Sequence, residues 1–403
     1  MIISLLRRIK NKIYRTLAEK KVQQNLYVSK GNTLFVDISE VYYQDHKTGI
    51  QRVVRSVMQE MQSMTDMKYT IVPVVVTDQD GYWDCRLADN PELRPVPKGT
   101  DIFFGLDLSG RVTHAYQNGL FNEWNQIGVK FYFVIYDILP LYHPQWWPDL
   151  TYDHHHAWFV NVLSMSDKLI CISQSVQNSV RQWIKDNNPK VKPGQTIDWF
   201  HLGSDIKNSQ PSKGLPDNYQ DVLAQLDSSK SFLMVGTIEP RKGHRQAFEA
   251  FKELWAAGHD YTLVIVGKEG WLVEDLVSEM REFQQTSNKL VLLQGISDEY
   301  LEAIYEHSNC LLIPSEGEGF GLPIFEASYY EMPIIARDIE VFREVAGEHA
   351  FYFDNVKDPS ALSKCILEWA AGNDKGTTPD SKLIKSLTWK ESTNVLTTKL
   401  GLK

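Results

Sequence analysis

Residues 311–338 read LLIPSEGEGFGLPIFEASYYEMPIIARD. A short apolar run, Leu311–Ile313, passes into a loop with glycines at 317, 319 and 321, then into a helical pattern and a second apolar run, Ile334–Ala336. Strand, glycine-rich loop, helix, strand is the repeating unit of a parallel α/β sheet. The glycines let the backbone approach a ligand, and a helix opened by Pro323 aims its N-terminal amides and positive dipole end at the loop. A diphosphate fits such a cradle. Glu318 precedes the loop's end and Glu326 falls in the first helical turn, so both can face one ligand. Carboxylates accept hydrogen bonds from hydroxyls and suit a ribose or hexose rather than a phosphate. The plainer alternatives are a strand-to-helix turn for the glycines and a helix-dipole partner, worth ~0.3–1 kcal/mol, for Glu326. A dinucleotide fingerprint is excluded on spacing, because its third glycine would stand where Leu322 is.

A second block, FLMVGTIEPRKGHRQAF at 232–248, leaves a strand and enters a helix with Arg241 and Lys242 adjacent at the turn. Arg offers a fork of donors and Lys a compact charge, which together neutralise a bound diphosphate. Two basic loop residues by themselves are more often solvated, and as exposed charges they add little to stability. Their company, a glycine-rich loop and two glutamates at the corresponding edge of the same sheet, favours the functional reading.

Short apolar runs alternate with helical patterns along the rest of the chain. The expected strands are Leu34–Ile38, Thr70–Val76, Asp101–Leu106, Phe131–Tyr136 and Leu169–Ile172, then Phe232–Val235, Thr262–Val266, Leu290–Leu293, Leu311–Ile313, Ile334–Ala336 and Phe351–Phe353. Ser297, followed by Asp298 and Glu299, and Asp358, followed by Pro359, mark helix starts. The polar stretch SDIKNSQPSKGLPDNY, 204–219, separates two halves, and 403 residues suit two domains. The expected architecture is α/β, two Rossmann-like domains with parallel sheets facing across a cleft. Its parts are a segment 1–30, an N-terminal domain 31–210 for the acceptor, a donor domain 211–385 and a closing helix in 386–403.

With 43% hydrophobic and 23% charged residues the chain is ordinary globular material, and a net charge of −9 argues against nucleic acid as a partner. Cys85, Cys171, Cys310 and Cys365 lack paired spacing and read as reduced, structural thiols. No apolar run spans a membrane and no signal peptide is evident, so a cytoplasmic location is expected. Residues 1–30 nevertheless carry eight Lys/Arg against one acid, Glu19, with Ile2, Leu6, Ile9, Ile13 and Leu17 at helical spacing. That pattern fits an amphipathic helix on an anionic membrane surface, and equally one packed on protein.

The two blocks together, G-T-x-E-P-R-K-G and a Glu-x7-Glu around E-G-F-G-L-P, resemble the donor site of the retaining nucleotide-sugar glycosyltransferases of family 4, which have the GT-B fold. The likeness extends to KTGIQRVVR (47–55), YDILP (136–140), CISQSV (171–176) and LTWKESTNVL (387–396). It implies that Arg241 and Lys242 bind the diphosphate and stabilise the departing nucleotide, that Glu326 holds the ribose and that Glu318 holds the transferred sugar. It also implies a catalytic-site place for Asp137, and substrate contacts from Gly49, Tyr136, Ser173, Gly236, Thr237, Gly319, Phe320, Gly321 and Leu322. The family needs no metal and no cofactor. The expected partners are a nucleotide diphosphate-sugar donor, with GDP-mannose leading and rhamnosyl or glucosyl nucleotides as alternatives, and a carbohydrate or lipid-linked glycan acceptor of surface-polysaccharide synthesis. A catalytically silent sugar-binding scaffold is the rival. Two positions depart from the pattern: Thr237 replaces a common arginine and Tyr136 a common histidine.

Three further features are ambiguous. His154, His155 and His156 are consecutive, cannot form an i, i+4 metal pair, and are expected to be solvated or capping. Asp78-Gln79-Asp80 precedes Gly81 and reads as a turn. Tyr142, His143, Trp146 and Trp147 are either an aromatic wall for a sugar or core.

Overall fold

A computed structural model describes residues 25–46, 48–79, 82–205 and 212–403. The basic helical pattern at 2–17, Asp80 and linker residues 206–211 lie outside the described residues. The chain divides into two units. Among the described residues, the first holds those up to Ile138, Asp153–Gly203 and Trp389–Lys403; the second holds Leu139–Tyr152 and those of Ser204–Thr388.

The first unit contains β1 (Leu26–Val28), β2 (Thr33–Asp37), β3 (Thr70–Gln79), β4 (Tyr82–Leu87), β5 (Arg94–Val96), β6 (Ile102–Gly105), β7 (Lys130–Ile135), β8 (Lys168–Cys171) and β9 (Thr196–Trp199). Seven of these form one sheet in the order β4-β3-β2-β6-β7-β8-β9, while β1 and β5 pair separately. Every pairing in the large sheet is parallel except β3 with β4. Parallel strands covered on both faces need continuous apolar sequence, and Leu34, Phe35 and Val36 of β2 are indeed fully buried. An aromatic cluster of Phe103, Phe121, Trp124 and Phe131 packs at one face, with ring centroids 4.7 Å apart for Phe103 and Phe121. The final helix, Trp389–Leu400, belongs to this unit through Trp389, Leu396 and Leu400, all 2% exposed or less.

The second unit is a single parallel sheet of β10 (Lys230–Val235), β11 (Tyr261–Val266), β12 (Leu290–Leu293), β13 (Cys310–Ile313), β14 (Ile334–Arg337) and β15 (Phe351–Phe353). Its order, β12-β11-β10-β13-β14-β15, is that of a dinucleotide-binding Rossmann sheet. Phe232, Phe251 and Trp369, all fully buried, meet edge to face in its core, with Trp369 5.3 Å from Phe232. Burial of each such side chain contributes about 1.5–3 kcal/mol.

All eleven expected strands are present, as are the N-caps Ser297 and Asp358, whose side chains accept from Tyr300 N at 3.0 Å and Ser360 N at 3.1 Å. Strands β1, β4, β5 and β9 were not anticipated. Strand β4 turns back on β3, and Asp78, expected in a turn, is a strand residue paired with Trp83. All four cysteines are free and buried. The segment Leu139–Tyr152, placed by its position in the N-terminal half, groups instead with the second unit. Among the described residues no helix is long and apolar enough to cross a membrane.

Candidate active site

In a doubly wound sheet, ligands bind beyond the carboxyl ends of the strands where the winding reverses. In the second unit that point lies between β10 and β13, the strands that feed the two sequence blocks. After β10 the chain makes a short 3-10 turn, Pro240–Lys242, and Gly243 adopts φ +73° before the helix His244–Ala256. A Cβ on Gly243 would lie 2.5 Å from the carbonyl oxygen of Pro314, so only glycine lets this turn press against the exit of β13. Arg241 returns the contact, its carbonyl accepting from Glu316 N at 2.7 Å.

The side chains then converge. Arg241 donates from Nη1 to Gly317 O at 2.7 Å and to Glu318 Oε2 at 2.8 Å, and its Nη2 lies 2.7 Å from Glu239 Oε1. Lys242 Nζ donates to Glu318 Oε1 at 2.5 Å. The side chains of Arg241 and Lys242 are only 16% and 15% exposed, which corrects the expectation of solvated loop cations that add little to stability. Burial pushes the Glu318 carboxyl up, but Arg241 and Lys242 outweigh it and hold it down at about 2. Two cations and two buried carboxylates, Glu239 and Glu318, thus form a closed network at the switch point. Nothing in the sequence around Glu239 signals its role, because its 4% exposure arises only when the turn folds.

On the other side, Gly321 at φ +102° caps the helix Leu322–Tyr329, with Pro323 second in it. Gly319 and Phe320 are buried, and Phe320 stacks on Phe325 with centroids 5.1 Å apart. Glu326 is the fifth residue of that helix, in its second turn rather than the first, and is 3% exposed. Its Oε2 accepts from the Tyr305 hydroxyl at 2.7 Å, and Tyr305 in turn stacks on Tyr330. Tyr305 lies 21 residues upstream of Glu326 in a different helix, and no local pattern joins them. Gly236 lies beneath Lys242, whose Nζ would be 3.5 Å from a Cβ there, and Thr237 is half-buried beside it.

Two more features support the loops from below. Arg337, fully buried at the end of β14, donates Nε to Pro314 O at 3.0 Å, Nη1 to Val356 O at 2.6 Å and Nη2 to Gln246, and lies over the Phe353 ring. It ties the exit of β13 to the helix that follows the Arg241 turn. Trp146, 6% exposed, packs on the glycine-rich loop: a Cβ on Gly317 would come within 2.9 Å of its ring. Trp271 Nε1 donates to Trp146 O at 2.7 Å, so Trp146 belongs to the core rather than to an aromatic wall.

In the first unit the expected residues follow β2, β7 and β8 of the large sheet. Gly49 opens the helix Gly49–Ser63 behind a Thr48–Gln51 capping box, and a Cβ there would meet nothing within 4 Å, so packing does not require the glycine. Asp137 is half-buried, and its backbone bonds His155, whose charge is disfavoured by burial. His155 is therefore neither solvated nor capping, whereas His154 is exposed. Tyr136 is corrected: it is 3% exposed and its hydroxyl donates to Leu106 O at 2.8 Å, pointing into the core instead of toward a sugar. Ser173 is a fully buried N-cap between β8 and the helix Gln174–Asn187, its Oγ accepting from Val176 N at 3.1 Å. Strong perturbations appear where sequence gave no sign. Burial raises Asp37, at the end of β2, to about 8, and Asp107, just beyond β6, to about 6.

Residues 217–380 match the model of the family described as glycosyl transferases group 1. The serotype-specific mannosyltransferase WbdA of Escherichia coli is 40% identical over 388 residues, covering 93% of this chain and 47% of that protein. The O-antigen chain mannosyltransferase RfbU of Salmonella typhimurium is 27% identical over 223 residues, 54% of this chain and 55% of that one. The chain thus spans about half the length of the curated relatives it matches. Among solved structures, Anabaena Alr3699/HepE in complex with UDP and glucose superposes with a TM-score of 0.61 at 14% identity, covering 92% of this chain and 99% of that one. The Rossmann order of the second sheet, the loops at its switch point and these likenesses place the chain on the GT-B fold, with a group 1 glycosyl transferase domain at residues 217–380.

Proposed function

We propose that this chain is a retaining mannosyltransferase that moves mannose from GDP-mannose onto a carbohydrate or lipid-linked glycan in O-antigen synthesis. The observation that carries the reading is the closed network of Arg241, Lys242 and Glu318 at the switch point of the Rossmann sheet. The mannosyltransferase names of the relatives favour mannose.

In the reaction the bond between the sugar's anomeric carbon and the diphosphate breaks, and the acceptor hydroxyl oxygen forms the new bond. The diphosphate leaves with the electron pair and takes up the acceptor's proton. Arg241 and Lys242 stabilise that charge through preorganised donors. Glu318 faces the transferred sugar, and Glu326, oriented by Tyr305, takes the ribose. Gly49 and Asp137, which both belong to the first unit, keep the substrate-contact and catalytic-site places that the family resemblance implies.

Thermal melts with GDP, GDP-mannose, UDP-glucose and a deoxythymidine diphosphate rhamnose test the donor. GDP and GDP-mannose are expected to raise Tm, since a ligand at 100 times its Kd adds about 2.7 kcal/mol. A rise confined to another nucleotide would reassign the donor, and no rise with any of them would favour the silent scaffold. Residues 1–30, with their basic bias, are assigned to an anionic membrane surface on the inner face of the cell membrane. Deleting residues 1–25 is expected to reduce co-sedimentation with anionic vesicles while GDP still raises Tm. Equal sedimentation of both forms would sink the membrane assignment.

A further inference from the structure

A cavity lies between the carboxyl ends of β10 and β13, lined by Val235, Lys242, His244, Ser315 and Pro323. Its walls are thus the end of one strand, the turn that carries Lys242, the exit of the other strand and the start of the Leu322–Tyr329 helix. His244 is the one imidazole there. It is 3% exposed, and its Nδ1 is buried without a hydrogen-bond partner. A buried polar atom left unpaired is costly, and folded proteins hold few of them.

The chemistry of the ring narrows what it offers. Burial and the Lys242 ammonium beside it push His244 down to about 3, so it is neutral throughout the working range and carries one proton. An enclosed, unpaired acceptor is better tolerated than an enclosed, unpaired N–H. The proton therefore belongs on Nε2, and Nδ1 keeps the lone pair. A neutral N–H donor beside an ammonium and a helix N-terminus complements an anionic oxygen.

We propose that His244 is a donor-site residue whose Nε2–H hydrogen-bonds the terminal phosphate of the nucleoside diphosphate. The assignment rests on the donor site proposed above. Lys242 supplies the charge at that phosphate, and His244 supplies direction without adding a second titrating cation. This gives the Arg-Lys-Gly-His turn three consecutive uses: the fork of Arg241, the ammonium of Lys242 and, past the left-handed Gly243, the imidazole.

Calorimetric titration of the full chain with GDP and with GMP tests this, using wild type, His244→Phe and His244→Gln, each matched by melting temperature and circular dichroism. Phenylalanine keeps a ring without a donor, and glutamine keeps a donor without a ring. His244→Phe is expected to weaken GDP about tenfold, the value of one hydrogen bond to a charged group, and GMP by less than about twofold. His244→Gln is expected to stay within about threefold of wild type for GDP, and the GDP ratio to be constant from pH 6 to 8.5 because the ring never charges there. GDP binding by His244→Phe equal to wild type, or an equal loss for GDP and GMP, overturns the contact while leaving the donor site standing. Failure of wild type to bind any of GDP, UDP and deoxythymidine diphosphate overturns the donor site and this contact together.

Discussion

Replacing Arg241 by alanine is expected to lower kcat/KM for mannosyl transfer by more than about 10²-fold, the scale of losing a preorganised charge partner for the leaving group. Thr237 stands where a second arginine is common in the resembled family, which concentrates that task on Arg241 and Lys242. The structure adds a stability term absent from the reading of Arg241 as a loop charge. Its guanidinium holds Glu239, Glu318 and Gly317 O at once, so removal leaves two buried carboxylates with fewer partners. Arg241→Lys separates the two effects, because it retains charge for Glu318 but loses the fork that also reaches Gly317 O. Initial rates with GDP-mannose, at temperatures well below each variant's Tm, provide the comparison. Unchanged transfer by a folded Arg241→Ala protein would place the leaving-group site elsewhere.

The second large effect is on folding. Glu318→Gln is expected to cost roughly 3 kcal/mol at pH 7, because it leaves Arg241 and Lys242 adjacent and only partly neutralised. The sign of the pH dependence follows from the depressed carboxyl, about 2 in the folded chain against 4.5 for an ordinary glutamate. A group lowered on folding contributes its full stability above 4.5 and loses it as pH falls toward 2. The gap between wild type and Glu318→Gln in urea unfolding should therefore be widest at neutral pH and shrink between pH 4.5 and 2. A gap that stays constant across that window would mean the carboxylate is not the counter-charge of this turn.

Sequence exposed the parts of this molecule that local physics controls. Continuous apolar runs such as Leu311–Ile313 can only be buried parallel strands, and glycines at strand exits mark where backbone meets ligand. Strand β9 escaped because it sits at a sheet edge, where Thr196–Trp199 stays partly polar, and β4 because Asp84 and Arg86, buried as an ion pair, break its apolar pattern. Tyr136 was misjudged for a related reason: a tyrosine at a strand end can turn its hydroxyl either way, and only the position of Leu106 O decided it. Arg337 shows the larger limit. An arginine ending the strand Ile334–Arg337 looks solvated until Pro314, Val356 and Gln246, up to 91 residues away, close around it.

The crossing between units has a consequence for recombination. Gly203 and Trp389 both belong to the first unit, while Ser204 and Leu387, bonded at 3.0 Å, belong to the second. Residues 204–388 therefore enter and leave side by side, and look like a cassette that two cuts would release for grafting between homologues. The cassette is incomplete. Its glycine-rich loop rests on the Trp146 ring, and Trp271 bonds the Trp146 carbonyl, yet Trp146 is encoded upstream of the first cut, in the Leu139–Tyr152 excursion. A chimaera that exchanges donor preference must carry that excursion along as a second, non-contiguous fragment, or its transplanted loop arrives without the indole that shapes it.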